Sequence, residues 1–231
     1  MFLVTQPPFY TSSFFNVIKE ARASGLCVAT MTIRQWYYHL LKQELSYQDG
    51  DTRLMKPCRA ERMYPNAQWD VIWKNVHLKV VPSDVISFSF KLVHGLLPTE
   101  ARLNSTLRNV SAACKFSCPG DPPADLNHCF FSCDLTADVG MLLFRVSQCF
   151  KPGICVNDIL RLEIVDNAAL VWVVMKSLYF IWEHRVAKKR VNRTKWMADL
   201  VADQEIMLSS HYNSFAIEIG KIIDILLQYQ I

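Results

Sequence analysis

The sequence predicts an all-α protein in which an irregular Cys/His loop interrupts a helical domain and a bundle of long helices follows. Apolar residues recur at helical spacing along most of the chain, whereas the alternation of period two that marks half-buried strands is almost absent. The chain has 231 residues, of which 51% are hydrophobic and only 7 are Gly, so it can bury a sizeable core of ordered structure. Between residues 114 and 133 the helical pattern is lost, and Cys, Pro and Gly residues accumulate.

These patterns divide the chain into three regions. Residues 1–31 show little periodicity and form a poorly defined N-terminal segment. Residues 32–150 form a helical region that contains the cysteine-rich loop, and residues 151–231 form a C-terminal helical bundle with a basic stretch. Within the second region we expect a first helix over residues 32–47, followed by a polar linker or exposed loop over residues 48–63.

Three short helices are predicted between this linker and the cysteine-rich loop. The first carries apolar residues at helical spacing, namely Trp69, Ile72, Trp73 and Val76. The second begins near Pro82 with Ser83 as its cap, and Gly95 helps to end it. Its apolar stripe consists of Val85, Phe88, Leu92 and Leu96. Thr99 is expected to cap the third helix, Glu100–Leu107.

Longer helices are predicted after the loop. One runs from Asp134 through Phe150, and a short helix or turn covers residues 158–164. The helix predicted over residues 166–191 is apolar nearly all round in its first half, so that half should be buried. Helices over residues 195–208 and 211–229 complete the chain. The core face predicted for the last helix consists of Ile217, Ile222, Ile225, Leu226 and Tyr229.

Composition argues against a secreted or membrane-spanning protein. The first ten residues lack a basic region and contain Pro7 and Pro8, which is a poor pattern for a signal peptide. The longest apolar stretch, Ala168 to Trp182, is interrupted by Lys176 and is shorter than the ~20 residues that a spanning helix needs. We therefore expect an intracellular protein, nuclear or cytoplasmic, whose cysteines are free thiols or metal ligands and not disulfides. The net charge of +4 permits a nucleic-acid partner without requiring one.

Four residues of the cysteine-rich loop are candidate ligands for a structural zinc ion. They are Cys114, Cys118, His128 and Cys133. Cys114 and Cys118 would supply one edge of a tetrahedron, and His128 and Cys133, about one helical turn apart, would supply the other. Four protein ligands leave no open position, so such a site would be structural and not catalytic. The alternative is a degenerate site of four unmetallated, semi-buried side chains.

A basic stretch without acidic residues lies between His184 and Trp196. Its cations are Arg185, Lys188, Lys189, Arg190, Arg193 and Lys195. On a helix, three of them would share a face that could neutralise phosphates and bind nucleic acid in a salt-sensitive way. The alternative is a solvated helix end whose cations complement the helix dipole. Trp196, next to this stretch, could stack on a base or lie in the core.

Motifs of catalysis are missing from the sequence. The nearest approach to the Tyr-x-Asp-Asp sequence of polymerases is Tyr47-Gln48-Asp49-Gly50-Asp51, which lacks adjacent aspartates. We find neither a phosphate-binding Gly-rich loop nor a Gly-x-Ser-x-Gly motif. The sequence therefore predicts no enzymatic activity for this chain alone.

The order of the motifs resembles the zinc-binding region that follows the polymerase in non-LTR retrotransposon reverse transcriptases. The resemblance rests on Met63-Tyr64-Pro65, Trp69-Asp70-Val71-Ile72-Trp73, Pro82-Ser83-Asp84 and Gly95-Leu96-Leu97-Pro98-Thr99-Glu100, followed by the Cys–Cys–His–Cys set. It covers roughly residues 32–229. In the family the first two cysteines are usually separated by two residues, whereas three separate Cys114 from Cys118.

The resemblance implies a non-catalytic tail that binds template RNA or target DNA without strong specificity while reverse transcription is primed. It also implies a zinc ion in the Cys/His loop and the polymerase part of a parent protein as a partner. Two alternatives stay open at this point. The chain could be an orphan fragment of a transposon reading frame without a selected function, or a protein-interaction module built from the helical tail.

Overall fold

The computed structural model describes residues 64–107, 109–116 and 118–229. The predictions for residues 1–63, including the N-terminal segment, the helix over 32–47 and the polar linker, lie outside the described residues. In the described part, β structure is limited to one bridge between Ala113 and Pro123, which confirms the all-α prediction. The bounds of the three predicted regions stay predictions.

The described chain consists of α-helices and one π-helical turn. In chain order these are α1 (Trp69–Val76), α2 (Ser83–Val93), α3 (Glu100–Thr106), the π-turn (His128–Ser132), α4 (Ala137–Phe150), α5 (Val156–Leu160), α6 (Ala168–Val186), α7 (Arg193–Leu208) and α8 (Asn213–Gln228). None of the helices in the described residues is long and apolar enough to cross a bilayer.

The short helices before the loop form largely as predicted. Thr99 caps α3 by accepting a hydrogen bond from the backbone N–H of Arg102 at 3.3 Å, which confirms the predicted cap. The prediction that Ser83 caps α2 is wrong, because Pro82 holds the cap position and Ser83 is the first helical residue. Leu96 lies beyond the end of α2 and is exposed, since the chain leaves the helix at Gly95 with a φ of +60°.

Helix α6 is the central element of the core. It packs against α2, α4, the π-turn, α7 and α8, and its first half is buried on all sides, as predicted. The helix ends at Val186, five residues before the predicted end, because Lys188 adopts a left-handed φ of +55°. The N–H of Lys188 donates to the carbonyl of Arg185, and the N–H of Lys189 donates to the carbonyl of His184. This pair of hydrogen bonds is the Schellman arrangement that terminates helices.

The last two helices complete the same core. Trp196 of α7 is only 1% exposed, and its indole N–H donates to Ser177 Oγ of α6 at 3.0 Å, so it belongs to the core. Part of the predicted core face of α8 is wrong, because Ile217 is 51% and Tyr229 is 46% exposed. The apolar residues of α8 cover more than one face, and the face turned inward consists of Ala216, Ile219, Ile222, Ile223 and Leu226.

A close approach between α4 and the π-turn depends on Gly140. A Cβ atom at this position would overlap the backbone carbonyl oxygen of Phe130. Thr136, just before α4, donates from Oγ1 to the carbonyl of Cys129 at 2.9 Å and ties the same two elements together. Because the π-turn carries His128 and leads into Cys133, this contact fixes the position of two candidate ligands.

We expect Gly140→Ala to lower the free energy of unfolding by about 1–3 kcal/mol, because the new methyl group meets rigid backbone. Gly220→Ala in α8 is the matched control. There the Cβ would lie 2.5 Å from the amide end of Gln204, a flexible side chain that can move if it gives up its hydrogen bond to the carbonyl of Ala216. The gain in helix propensity, about 1 kcal/mol, should roughly offset the loss of that hydrogen bond, so this control should stay within about 1 kcal/mol of wild type. Urea unfolding measures the free energy of unfolding of both variants and of wild type. Equal changes in the two variants would contradict the close packing described at Gly140.

Candidate metal centre

The four predicted ligands lie together in the structure. Cys114, Cys118, His128 and Cys133 are all buried, and their ligand atoms all lie within 4.8 Å of one another. The predicted set is therefore brought together in full, and this cluster could hold a metal ion.

The spacing of the sulfur atoms suits a tetrahedral ion. Cys118 Sγ lies 3.6 Å from both Cys114 Sγ and Cys133 Sγ, and the latter two atoms are 3.8 Å apart. A regular tetrahedron with metal–sulfur bonds of about 2.3 Å, as zinc makes, has edges of about 3.8 Å. The three sulfurs thus lie where the ligands of a single small ion would lie.

His128 offers the fourth ligand through its Nε2 atom. This nitrogen is buried and makes no hydrogen bond to the described residues. The other ring nitrogen, Nδ1, lies 3.4 Å from Ser132 Oγ. A hydrogen bond from Nδ1 to an oxygen leaves the lone pair on Nε2, which is the arrangement found in metal-binding histidines. An ion at the centre of the cluster would give this buried nitrogen the partner that it lacks.

The first two cysteines are placed by a short loop that folds back on itself. Cys114 donates its N–H to the carbonyl of Pro122 at 2.9 Å, and Ala124 donates to the carbonyl of Ala112 at 2.9 Å. Gly120, with a φ of +78°, lets the chain reverse between these two segments. In this loop the Sγ atoms of Cys114 and Cys118 lie 3.6 Å apart, although three residues separate the two cysteines in the sequence.

The second pair is placed by the π-turn. The N–H of Cys133 donates to the carbonyl of His128 at 2.8 Å, which is the i to i+5 hydrogen bond of a π-helix. In an α-helix two residues five positions apart point in different directions, roughly 140° apart, because each residue turns about 100°. The wider turn aligns them. The neighbouring Cys129 points away, with its Sγ 3.6 Å from the carbonyl of Ala124, and burial raises the pKa of its thiol to about 12.

Burial shifts the pKa values of two candidate ligands so that both are neutral while no ion is bound. Burial, and then the positive charge of Arg185, lower the pKa of His128, so its imidazole is neutral at neutral pH. Burial raises the pKa of Cys118 to about 12, so this thiol keeps its proton unless a cation replaces it. Binding of a metal ion would therefore release protons and weaken as the pH falls.

Arg185 was predicted to lie on a basic helix face, and this prediction is wrong. The residue is 4% exposed, and its guanidinium donates from Nη1 to Cys133 Sγ at 3.2 Å and from Nη2 to Glu100 Oε2 at 2.9 Å. Lys188 and Lys189 lie beyond the end of α6, so the three cations share no helix face. Arg185 belongs to the surroundings of the metal centre. Sequence reasoning also missed Glu100, because it lies in a largely polar helix and its burial beside Arg185 becomes visible only in the structure.

The other predicted cations lie on or near the surface. Lys188, Lys189, Arg190 and Lys195 are exposed, whereas Arg193 is half-buried. Arg190 pairs with Asp138 at 3.2 Å, and Arg193 donates to the carbonyl of Tyr229 at 2.7 Å. The connection between α6 and α7 is anchored by Val191, which is buried and donates its N–H to the carbonyl of Leu135 at 2.9 Å.

Compared with protein-family models, curated proteins and solved structures, the chain gives no match. The resemblance to the retrotransposon region therefore stays a prediction that rests on the order of the motifs.

We expect the purified protein to carry about one metal ion per chain and the Cys133→Ser variant to carry almost none, because loss of one of four ligands opens a closed site. Cys155→Ser is the matched control, since Cys155 is exposed and precedes α5, where serine is an equally suitable cap. Elemental mass spectrometry of the three proteins measures the metal content. Equal metal content in wild type and Cys133→Ser would contradict the ligand set.

Proposed function

We propose that Cys114, Cys118, His128 and Cys133 bind zinc in a closed structural site. Three thiolates and one imidazole are donors that zinc prefers, and four protein ligands leave no position for a substrate. The sulfur spacing of 3.6–3.8 Å and the unpartnered Nε2 atom of His128 support this proposal. When bound, the ion would join the cysteine loop to the π-turn and stabilise the fold between them.

We further propose that the chain is a non-catalytic nucleic-acid-binding module. The observation that carries the proposal is the exposure of Lys188, Lys189 and Lys195 in a stretch, residues 187–195, that contains no acidic residue. We call this stretch the basic segment. Closely spaced cations bind the phosphate backbone by releasing counterions, which gives affinity without sequence specificity.

The backbone of the basic segment is held in place, which favours a binding surface over a loose solvated end. The hydrogen bond of Val191 to Leu135 fixes its middle, and the side chain of Asn192 caps α7 by accepting from the N–H of Lys195 at 2.9 Å. Cations on an ordered backbone lose less entropy when they bind phosphates than cations on a mobile one. In the resembled family the partner would be template RNA or target DNA, held for the polymerase part of the parent protein.

We expect the affinity for duplex DNA and for single-stranded RNA to fall steeply with salt. In a variant with Lys188→Gly, Lys189→Ala and Lys195→Ala, the slope of log affinity against log salt should become smaller by up to about 3, at about 0.9 per lost phosphate contact on duplex DNA. Glycine suits the left-handed backbone of Lys188, so this change should not destabilise the fold. Fluorescence anisotropy over a range of salt concentrations measures the affinity and the slope of log affinity against log salt.

The matched control removes the same charge elsewhere, through Lys74→Ala, Lys79→Ala and Lys91→Ala, all exposed residues in or near α1 and α2. Equal losses in the two triple variants would mean that only net charge matters, and the basic segment would have no special role. Absence of measurable binding by the folded wild-type protein would overturn the nucleic-acid proposal and leave the zinc site untouched.

Protein interaction is a second candidate function, because two isoleucines on α7 and α8 are unusually exposed. Ile206 is 67% and Ile217 is 51% exposed. Exposed apolar side chains mark a protein contact where they form one contiguous patch, and these two would be the members to test. Binding to a polymerase part that is insensitive to salt and lost on Ile206→Ser with Ile217→Ser would favour this candidate. Retention of that binding in the double variant would count against it.

A further inference from the structure

The guanidinium of Arg185 contacts the sulfur atoms of two candidate ligands, Cys133 and Cys114. Its Nη1 atom lies 3.2 Å from Cys133 Sγ, and Nη1 and Nη2 each lie 4.0 Å from Cys114 Sγ. The guanidinium also lies over the ring of Phe116, 4.8 Å from its centroid. The side chain therefore reaches from the last turn of α6 to two of the three sulfurs.

The charge of a loaded site explains why a cation would be needed there. A divalent ion with three thiolates and a neutral imidazole carries one net negative charge. In a buried position such a charge is costly unless an opposite charge and hydrogen-bond donors lie next to it. Arg185 supplies both, and its planar guanidinium can donate to a thiolate and to a carboxylate at the same time.

Glu100 holds Arg185 in the required orientation. Its Oε2 atom accepts from Nη2 of Arg185 at 2.9 Å, and Glu100 is itself buried in the first turn of α3. Its Oε1 atom lies 3.9 Å from the exposed Lys115 Nζ. Charges of alternating sign thus run from the surface through Glu100 and Arg185 to the sulfurs. This order keeps each buried charge beside an opposite one.

We propose that Arg185 is an outer-sphere partner of the bound metal ion that donates a hydrogen bond to the Cys133 thiolate and balances the charge of the site. This inference rests on the zinc site of the proposed function and not on nucleic-acid binding. Arg185 would act as a positioning residue. It would raise metal affinity and lower the nucleophilicity of the thiolates, because a hydrogen-bonded and charge-balanced sulfur has less electron density available for attack on an electrophile.

The alternative is a plain packing role, in which the Arg185–Glu100 ion pair joins α6 to α3 and has no effect on the metal. In a protein that is already folded before zinc is added, that role would leave zinc affinity unchanged, whereas in a protein that folds on binding zinc any loss of stability would weaken binding as well. The alkylation rate of the folded, zinc-loaded protein changes only if the guanidinium acts on the sulfurs. Zinc affinity and alkylation rate together therefore separate the two explanations.

The experiment compares three variants of the full chain. Glu100→Gln with Arg185→Met removes the guanidinium without leaving Glu100 buried and unpaired. Arg185→Lys keeps the charge but loses the forked donor. Arg190→Met is the matched control, because Arg190 is exposed and pairs with Asp138 instead of a cysteine. The fold of each protein is checked by circular dichroism before and after zinc is added, and the zinc content of the loaded protein is measured.

Two readouts are then taken at fixed pH. Competition with a chromophoric chelator gives the zinc affinity, and mass spectrometry follows the rate of cysteine alkylation by iodoacetamide. We expect the double variant to bind zinc about 10- to 100-fold more weakly, the usual loss for an outer-sphere partner, and to be alkylated faster than wild type. The zinc affinity and alkylation rate of Arg185→Lys should lie between those of wild type and the double variant, and those of Arg190→Met should match wild type.

Unchanged zinc affinity and alkylation rate in the double variant and in Arg185→Lys would overturn the role of Arg185 while the zinc site stands. A folded wild-type protein that takes up no zinc would overturn both. If the double variant does not fold, the test rests on Arg185→Lys. Weaker zinc binding and faster alkylation in Arg185→Lys would support the inference, and wild-type values of both would overturn it.

Discussion

Three sulfurs and one imidazole nitrogen meet inside the protein, and the surrounding structure is organised by the need to hold them there. Buried polar atoms are costly without partners, so the elements that carry these four ligand atoms must hold them close to one another. The reversed loop places Cys114 and Cys118, and the π-turn, closed by the hydrogen bond from Cys133 to His128, places the other two. Gly140 lets α4 approach this turn closely enough to support it.

Helix α6 connects this centre with the surface on which the proposed function depends. Its first half fills the core, and its last turn carries Arg185 to the sulfurs. Three residues after Arg185, the left-handed backbone at Lys188 ends the helix near the start of the basic segment. The position of the exposed cations is therefore set by a helix whose last turn contacts the candidate metal centre.

The sequence allowed the helical class, the four candidate ligands and the Thr99 cap to be predicted, because each depends on local spacing or residue chemistry. The inward direction of Arg185 was out of reach, since a run of cations is usually solvated and the early end of α6 depends on the backbone conformation of Lys188. The core face of α8 was predicted in part only, because its apolar residues cover more than one side and neighbouring helices decide which side turns inward. The π-turn could not be predicted from the sequence either. His128 and Cys133, five positions apart, point in the same direction only because the N–H of Cys133 donates to the carbonyl of His128.

X-ray absorption spectroscopy of the zinc-loaded wild-type protein tests whether one ion is bound by three sulfurs and one imidazole nitrogen, because it counts the ligand atoms around the metal. We expect three sulfurs at about 2.3 Å and one nitrogen at about 2.0–2.1 Å. A shell made mainly of oxygen or nitrogen would contradict it, and four sulfurs would mean that Cys129 replaces His128.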